Sequence, residues 1–214
     1  MNPLLLEPPE TAQLGVVAFH DAGATPAQFR QAFSAWRSVL PPAVFYAPRA
    51  PLPCDPAVGG YTWYSLEGID VHNRAERLAE GVELARGILA RFGRQFGLQP
   101  HQVVAAGYSQ GAVILLGLAA ESGNAHVGQL LSFVGQPLPE EVPVEQGEHW
   151  PRVDIFHGDQ DDVIPVAYAN ALFRWLSQHG AEPTLFVESD TGHELAAGSI
   201  SKAGERMQVY LQGL

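Results

Sequence analysis

Residues 102–119 contain the pattern that most restricts what this chain can fold into. The apolar run at 103–106 is short and uninterrupted, which is typical of a strand buried on both faces of a parallel sheet. The Leu- and Ala-rich run at 112–120 has the length of a buried helix. Between them, residues 107–111 read G-Y-S-Q-G, a match to G-x-S-x-G. The pattern predicts a strand, a tight turn and a helix, with Ser109 in a strained conformation at the turn.

Both glycines of this motif have a predicted steric role. A Cβ atom at Gly107 or Gly111 would collide with the neighbouring strand and helix. The Ser109 hydroxyl would then project above the sheet, with the helix N-terminus beneath it. A glycine-rich turn that merely connects the two elements is the alternative interpretation.

Composition excludes several classes of protein. A chain of 214 residues with 46% hydrophobic residues can bury a full core, so we expect one domain over residues 1–214. The 12 Lys and Arg residues against 23 Asp and Glu give a formal net charge of −11. This acidic balance argues against nucleic acid or an anionic membrane surface as the main partner.

Location and cofactors follow from the same kind of observation. Cys54 is the single cysteine, which excludes an internal disulfide and a cysteine-based metal site. The N-terminus lacks the basic region of a signal peptide. No run of apolar residues approaches the length of about 18 that a transmembrane helix needs. We therefore expect a cytoplasmic protein that is not an integral membrane protein.

Strand and helix patterns alternate along the rest of the chain. Strands are predicted at 14–20, 43–47, 103–106, 129–134, 153–157 and 183–188, and helices at 25–40, 71–95, 112–120, 166–179 and 200–211. Residues 1–11 are expected to be an irregular lead-in, and 48–64 and 137–151 to be loops. The alternation predicts an α/β fold with a mostly parallel sheet covered by helices on both faces. No insertion is long enough to form a large lid domain.

A serine hydroxyl becomes a nucleophile when a base takes its proton, and the base is usually a histidine oriented by a carboxylate. At a turn of this kind the partners follow in the order Ser, Asp or Glu, His, in loops after downstream strands. His193 lies in the loop after the strand at 183–188, so we predict it as the base. The remaining histidines lie upstream, outside these loops, or at the end of a helix or strand: His20, His72, His101, His126, His149, His157 and His179.

The residues alone leave the acid undecided. Asp159, Asp161 and Asp162 all follow the strand at 153–157. Adjacent carboxylates repel one another, so at least one must be solvated or must cap the next helix. His157, at the end of that strand, is expected to be a structural, hydrogen-bonded histidine.

Three motifs together resemble the phospholipase/carboxylesterase group of α/β-hydrolases, which includes acyl-protein thioesterases. Residues 107–112 match its G-F/Y-S-Q-G-[GA] segment, 157–165 its H-G-x-x-D-x-V-[VI]-P segment, and 192–194 its G-H-[ES] segment. The resemblance covers nearly the whole chain, and W-Y-S at 63–65 with N-R at 73–74 is similar to a bacterial branch of small esterases. It implies an α/β-hydrolase fold without metal or cofactor, with Ser109 as nucleophile, Asp161 as orienting acid and His193 as base.

One segment departs from the group's pattern. The group usually carries H-G-x-G after the first strand, whereas residues 20–23 read H-D-A-G, so Asp21 replaces a glycine. The resemblance implies that the backbone N–H groups of Ala22 and Gln110 bind the oxyanion. A carboxylate directed at that site would oppose the developing negative charge. Our hypothesis is that Asp21 points away and that the Ala22 N–H still donates.

The expected substrate is a small-molecule ester or thioester. The acidic surface and the lack of an apolar lid favour a carboxylesterase for short to medium acyl chains; an acyl-thioesterase or lysophospholipase is the alternative. A non-catalytic hydrolase-fold protein that binds a small acyl ligand is a second alternative, favoured by Asp21. Because enzymes of this group often dimerise, a homodimer is a further expectation. Candidate substrate-binding residues are Tyr61, Trp63 and Tyr64, which could equally pack on the core, and Gln136.

Overall fold

A central sheet carries the strands predicted from the apolar runs. In the computed structural model, which describes residues 2–55, 57, 59–121, 126–142, 144 and 150–214, this sheet contains seven strands. They are β1 (Leu4–Leu5), β2 (Leu14–Phe19), β3 (Ala43–Ala47), β6 (Val103–Tyr108), β7 (Gln129–Phe133), β8 (Arg152–Gly158) and β9 (Thr184–Glu188). Two short strands, β4 (Leu52–Pro53) and β5 (Tyr61–Thr62), form a separate hairpin.

The strand order in the sheet is β1-β3-β2-β6-β7-β8-β9, and every pairing except that of β1 with β3 is parallel. The register pairs Phe19 with Gly107, Tyr108 with Phe133, and Gly158 with Glu188. The carboxyl ends of these strands therefore lie at one edge of the sheet. The loops that follow β2, β6, β7, β8 and β9 meet there.

Helices cover both faces of the sheet, as the alternating pattern predicts. The α-helices are α1 (Arg30–Val39), α2 (Arg74–Phe96), α3 (Gln110–Ala120), α4 (Ala167–Gln178) and α5 (Ala197–Leu211). One apolar core contains side chains of α2, α3 and α4, and the other contains side chains of α1 and α5. The indole N–H of Trp36 joins α1 to α5 by donating to the Ile200 carbonyl at 2.8 Å.

Three local predictions differ from the structure. The helix predicted at 25–40 begins as a 3-10 turn (Pro26–Phe29) before α1. The predicted lead-in contains β1, and the predicted loop at 48–64 contains the β4–β5 hairpin. A strand of two residues is too short to show an alternating pattern of apolar and polar residues in the sequence.

The remaining boundaries agree with the predictions within a few residues. Part of the loop predicted at 137–151, with His149, lies outside the described residues. Within the described ranges, no helix combines the length and the apolar composition that a membrane span requires.

Candidate active site

Ser109 lies at the turn between β6 and α3 with φ 51° and ψ −113°. A positive φ is costly for a residue with a side chain and persists where the surroundings enforce it. The predicted collisions at both glycines are confirmed. A Cβ at Gly107 would lie 2.5 Å from the backbone of Ala112 in α3, and one at Gly111 would overlap the carbonyl oxygen of Phe19 in β2. Close packing of the two strands and the helix thus holds the serine in its strained conformation.

His193 and Asp161 meet at the carboxyl ends of β9 and β8. The distance from His193 Nδ1 to Asp161 Oδ2 is 2.8 Å. Because a carboxylate only accepts hydrogen bonds, Nδ1 carries the hydrogen and Nε2 has a free lone pair. The Asp161 side chain is 0% exposed, and its Oδ1 accepts the backbone N–H groups of Val163 at 2.9 Å and Ile164 at 2.8 Å. The carboxylate is held in place on both sides.

This geometry distinguishes the three aspartates that the sequence left open. Asp161 is buried and hydrogen-bonded to the imidazole, whereas Asp159 and Asp162 are exposed to solvent. His157 has the structural role expected of it. Its Nε2 lies 2.7 Å from the carbonyl oxygen of Ile164 and 3.6 Å from Asp161.

The Asp21 carboxylate points into the predicted oxyanion site, so the hypothesis that it points away is wrong. Its Oδ1 accepts the backbone N–H of Ala22 at 2.7 Å and that of Gln110 at 3.4 Å. Its Oδ2 lies 3.8 Å from His193 Nε2. The physical reason is that two backbone donors converge here, the N–H of Ala22 in the loop after β2 and the N–H of Gln110 at the start of α3, and together they form a favourable site for an anion. Asp21 occupies it because its side chain is adjacent to Ala22.

A cavity of about 470 Å³ lies one helical turn from Ser109. It is lined by Val113, whose N–H donates to the Ser109 carbonyl at 3.1 Å. Of the four predicted substrate-binding residues, Tyr64 and Gln136 line it. Tyr61 and Trp63 lie elsewhere. The described residues that line the cavity are Tyr64, Ile69, Asp70, Val71, Arg74, Leu78, Val113, Gln136, Pro137, Leu138, Pro139, Glu140 and Tyr168.

The sequence profile described as phospholipase/carboxylesterase matches residues 2–210. The chain belongs to this family. The esterase YpfH of Escherichia coli is 27% identical over 205 residues, which cover 94% of this chain and 84% of that protein.

Solved structures agree with the family assignment. The crystal structure of esterase PE8 has a TM-score of 0.85 at 25% identity and covers 98% of both chains. A Bacillus cereus carboxylesterase shares the fold, with a TM-score of 0.75 at 20% identity over 97% of this chain and 93% of the other. The protein is a carboxylic ester hydrolase with an α/β-hydrolase fold, which removes the alternative of a non-catalytic binding protein.

In this member of the phospholipase/carboxylesterase family, His20 braces the loop that carries Asp21. Its Nδ1–H donates to the Asp21 carbonyl at 2.7 Å, and its Nε2 accepts the N–H of Ala50 at 3.1 Å. This pairing requires a neutral imidazole, and burial lowers the pKa of His20. The Trp63 indole donates to the His20 carbonyl at 2.7 Å. No sequence pattern indicates this role beyond the position of His20 before the turn.

Gln110 joins the segment at 61–64 to the turn at Ser109. Its Oε1 lies 2.9 Å from both the Thr62 hydroxyl and the Trp63 backbone N–H, and its Nε2 donates to the Tyr64 carbonyl at 3.1 Å. Trp63 is 0% exposed and packs against Phe19 and His20, so it supports this segment from below. Burial raises the pKa of Tyr64 to about 12, and the nearby negative charge of Asp21 contributes. The phenol is therefore neutral at physiological pH.

The turn after β7 is a further strained element that no sequence pattern indicated. Val134 has φ 54°, an unusual value for a β-branched residue. Its N–H donates to the Phe156 carbonyl at 2.9 Å, which holds it against β8. The turn leads directly to Gln136 in the cavity wall. Because a β-branched residue disfavours a positive φ, this conformation must be imposed by tertiary contacts and cannot be predicted from the local sequence.

Another aromatic ring packs directly on the histidine. The Tyr108 ring meets the His193 ring edge-on, with centroids 5.4 Å apart. Burial, with the negative charges of Asp21, Asp161 and Glu194, raises the pKa of Tyr108. Its hydroxyl remains neutral and lies among acidic groups.

In the part of the chain that the structure describes, no cluster of three or more His, Cys, Asp or Glu residues is arranged to hold a metal ion.

Proposed function

We propose that this enzyme hydrolyses carboxylic esters with short to medium acyl chains through Ser109, His193 and Asp161, within a single domain spanning residues 1–214. The observation that carries the proposal is the 2.8 Å contact between His193 Nδ1 and Asp161 Oδ2 at the sheet edge where Ser109 is strained. This arrangement leaves Nε2 of the imidazole available to a serine hydroxyl. The geometry fits the general logic of an activated serine nucleophile.

The proposed reaction proceeds through an acyl-enzyme. Ser109 Oγ attacks the ester carbonyl carbon while His193 Nε2 takes the hydroxyl proton, and Asp161 stabilises the imidazolium. The negative oxygen of the tetrahedral intermediate accepts the N–H groups of Ala22 and Gln110 once Asp21 has moved off them. Collapse breaks the bond to the alcohol oxygen, which receives the proton from His193. Water then attacks the acyl-enzyme by the same route, and this releases the acid and regenerates Ser109.

The dimensions of the cavity support the acyl-chain assignment. Its volume of about 470 Å³ lies within the range of small-molecule sites. Ile69, Val71, Leu78 and Leu138 give it apolar walls suited to an acyl chain. We therefore propose that p-nitrophenyl butyrate to octanoate are turned over faster than the acetate or the palmitate.

A series of p-nitrophenyl esters from acetate to palmitate tests the proposal. We expect Ser109→Ala to lower kcat by at least about 10³-fold on the best ester. Ser38→Ala, which removes an exposed hydroxyl on α1, is the matched control and should retain full activity. Equal hydrolysis by the wild type and Ser109→Ala would refute the serine mechanism.

Thioesters can react by the same steps, so acyl-thioesterase activity is the alternative. Rates on a butyryl ester and on the butyryl thioester that differs from it only by sulfur in place of the ester oxygen compare the two activities. We also propose a cytoplasmic location, which the free Cys54 and the acidic composition support. That the protein is a homodimer stays a prediction, and sedimentation equilibrium tests it by giving the molecular mass in solution.

A further inference from the structure

The Asp21 carboxylate occupies the place that the substrate oxyanion needs. Its Oδ1 accepts both backbone N–H groups that would bind the oxyanion, from Ala22 and Gln110. An ester carbonyl oxygen cannot enter while this carboxylate is there. Productive binding of any ester therefore requires Asp21 to move aside.

The backbone restricts how far Asp21 can move. Its N–H donates to Gln28 Oε1 at 2.9 Å, and its carbonyl accepts both His20 Nδ1–H at 2.7 Å and the Ala24 N–H at 3.2 Å. Because the Cα atom is held, only the short side chain can rotate. The side chain is 23% exposed, so it can turn towards the mouth of the site. After this rotation the negative charge still lies beside the reacting carbonyl.

The position of Asp21 identifies the part of the substrate that it faces. His193 Nε2 returns the proton to the departing alcohol oxygen, so the alcohol leaves past this nitrogen. Asp21 Oδ2 lies 3.8 Å from the same nitrogen. The displaced carboxylate is therefore a neighbour of the alcohol portion, while the apolar cavity lies on the side of Val113 and Tyr64.

The surroundings add negative charge. Glu194 follows His193, and its charge acts together with those of Asp21 and Asp161 on Tyr108. With a net charge of −11, the whole molecule attracts cations and repels anions.

We propose that Asp21 makes the enzyme selective for esters whose alcohol carries a positive charge near the scissile bond, as in choline-type esters with an ammonium group two carbons from the ester oxygen. This inference rests on the proposed serine esterase function. The substrate cation pairs with the Asp21 carboxylate and draws it off the Ala22 and Gln110 N–H groups. The same pairing opens the oxyanion site. A neutral alcohol offers no such compensation, so its esters react slowly.

Butyrylcholine and 3,3-dimethylbutyl butyrate test the proposal, because they have the same shape and differ in the replacement of N⁺ by carbon. Acid release is followed in a pH-stat. For the wild type we expect kcat/KM to be at least tenfold higher on the cationic ester, with the ratio decreasing as ionic strength rises. Asp21→Asn preserves the shape and removes the charge, so the ratio should fall to about 1.

Two further variants separate charge from obstruction. Asp21→Gly opens the oxyanion site as well as removing the charge, so hydrolysis of the neutral ester should increase at least tenfold and the ratio should again be about 1. Glu10→Gln removes one exposed charge just before β2, at the amino end of the sheet, and should leave the wild-type ratio unchanged.

The failures of the two proposals are distinguishable. A wild type that hydrolyses the neutral ester as fast as butyrylcholine, or an Asp21→Asn variant that retains the tenfold ratio, overturns the selectivity and leaves the serine esterase intact. If neither ester is hydrolysed by the wild type or by Asp21→Gly, or if Ser109→Ala hydrolyses them at the wild-type rate, the proposed function itself is wrong and the selectivity falls with it.

Discussion

Two carboxylates approach the same imidazole from opposite sides, and their settings differ. Asp161 is fully buried, receives two backbone N–H groups and lies 2.8 Å from His193 Nδ1. Asp21 is partly exposed and lies 3.8 Å from Nε2, with its other oxygen on the donors of the oxyanion site. In the proposed mechanism the first carboxylate supports a positive charge on the histidine throughout the reaction. The second must leave before the proposed reaction can begin, so the position of a carboxylate decides whether it helps or obstructs.

The largest effect should come from Asp161. We expect Asp161→Asn to lower kcat on p-nitrophenyl butyrate by about 10⁴-fold, because an amide can stabilise the wrong imidazole tautomer and cannot balance the imidazolium charge. Steady-state kinetics at pH 8 measure the loss. Asp162→Asn, which changes an exposed neighbour, should stay within about twofold of the wild type, a typical result for a surface substitution. Similar losses in both variants would mean that Asp161 has no special role.

A second substitution disturbs the oxyanion side without touching Asp21. In Gly111→Ala the new Cβ meets the Phe19 carbonyl, so β2 must shift away from α3. We expect the free energy of unfolding to decrease by about 2–3 kcal/mol, which is within the range for overpacked cores. Urea denaturation gives the value. The matched control is Gly87→Ala within α2, where a Cβ has open space, and it should stabilise the protein by about 0.5–1 kcal/mol.

His20, which braces the loop that carries Asp21, should make the stability of the protein depend on pH. Burial lowers its pKa below the ordinary value of 6.5, so in mildly acidic solution the unfolded chain binds more protons than the folded protein. Its contribution is complete above about pH 6.5 and is lost as pH falls through the lowered folded-state pKa.

The corresponding variant is His20→Gln. It should cost about 1–3 kcal/mol at pH 8, because Ala50 N–H and the Asp21 carbonyl lose their partner. Urea denaturation at pH 8 and pH 5 should show a smaller difference from the wild type at pH 5. His101→Gln, at an exposed position, should show no such convergence. If the difference in unfolding free energy between the wild type and His20→Gln were the same at pH 8 and pH 5, it would contradict a neutral, buried His20.

The smallest effect concerns Tyr64, whose pKa is raised to about 12. Spectrophotometric titration of the wild type minus Tyr64→Phe should give a single ionisation with its midpoint near that value. The kcat on p-nitrophenyl butyrate should change by less than about twofold, because the phenol is neutral and takes no proton in the reaction. A midpoint near 10 would show that the phenol is more solvated than the structure indicates.

Much of the fold could be predicted because the relevant signals are local. The apolar runs gave the parallel strands, and the steric needs of Gly107 and Gly111 gave the turn at Ser109. His193 followed from chain order. The choice of Asp161 needed the family resemblance, because three consecutive carboxylates cannot be ranked without knowing which one is buried.

The unpredicted features depend on contacts between distant residues. The orientation of Asp21 depends in part on the N–H of Gln110, which lies 89 positions away in the chain. Trp63 looked like a pocket wall, but its indole reaches the His20 carbonyl and is buried there. The strain at Val134 depends on its hydrogen bond to Phe156 in the adjacent strand. None of these partners can be read from a local pattern.

Gln110 has a consequence for the laboratory evolution of this enzyme. Its backbone N–H faces the proposed oxyanion site, while its side chain holds the backbone of Trp63 and Tyr64. The loop is thus attached mainly through main-chain atoms, which stay in place when side chains change. Substrate range can therefore be redesigned at position 64, which lines the cavity, by varying its side chain. Gln110 itself would have to be kept, because replacing it would alter the pocket and the oxyanion site at once.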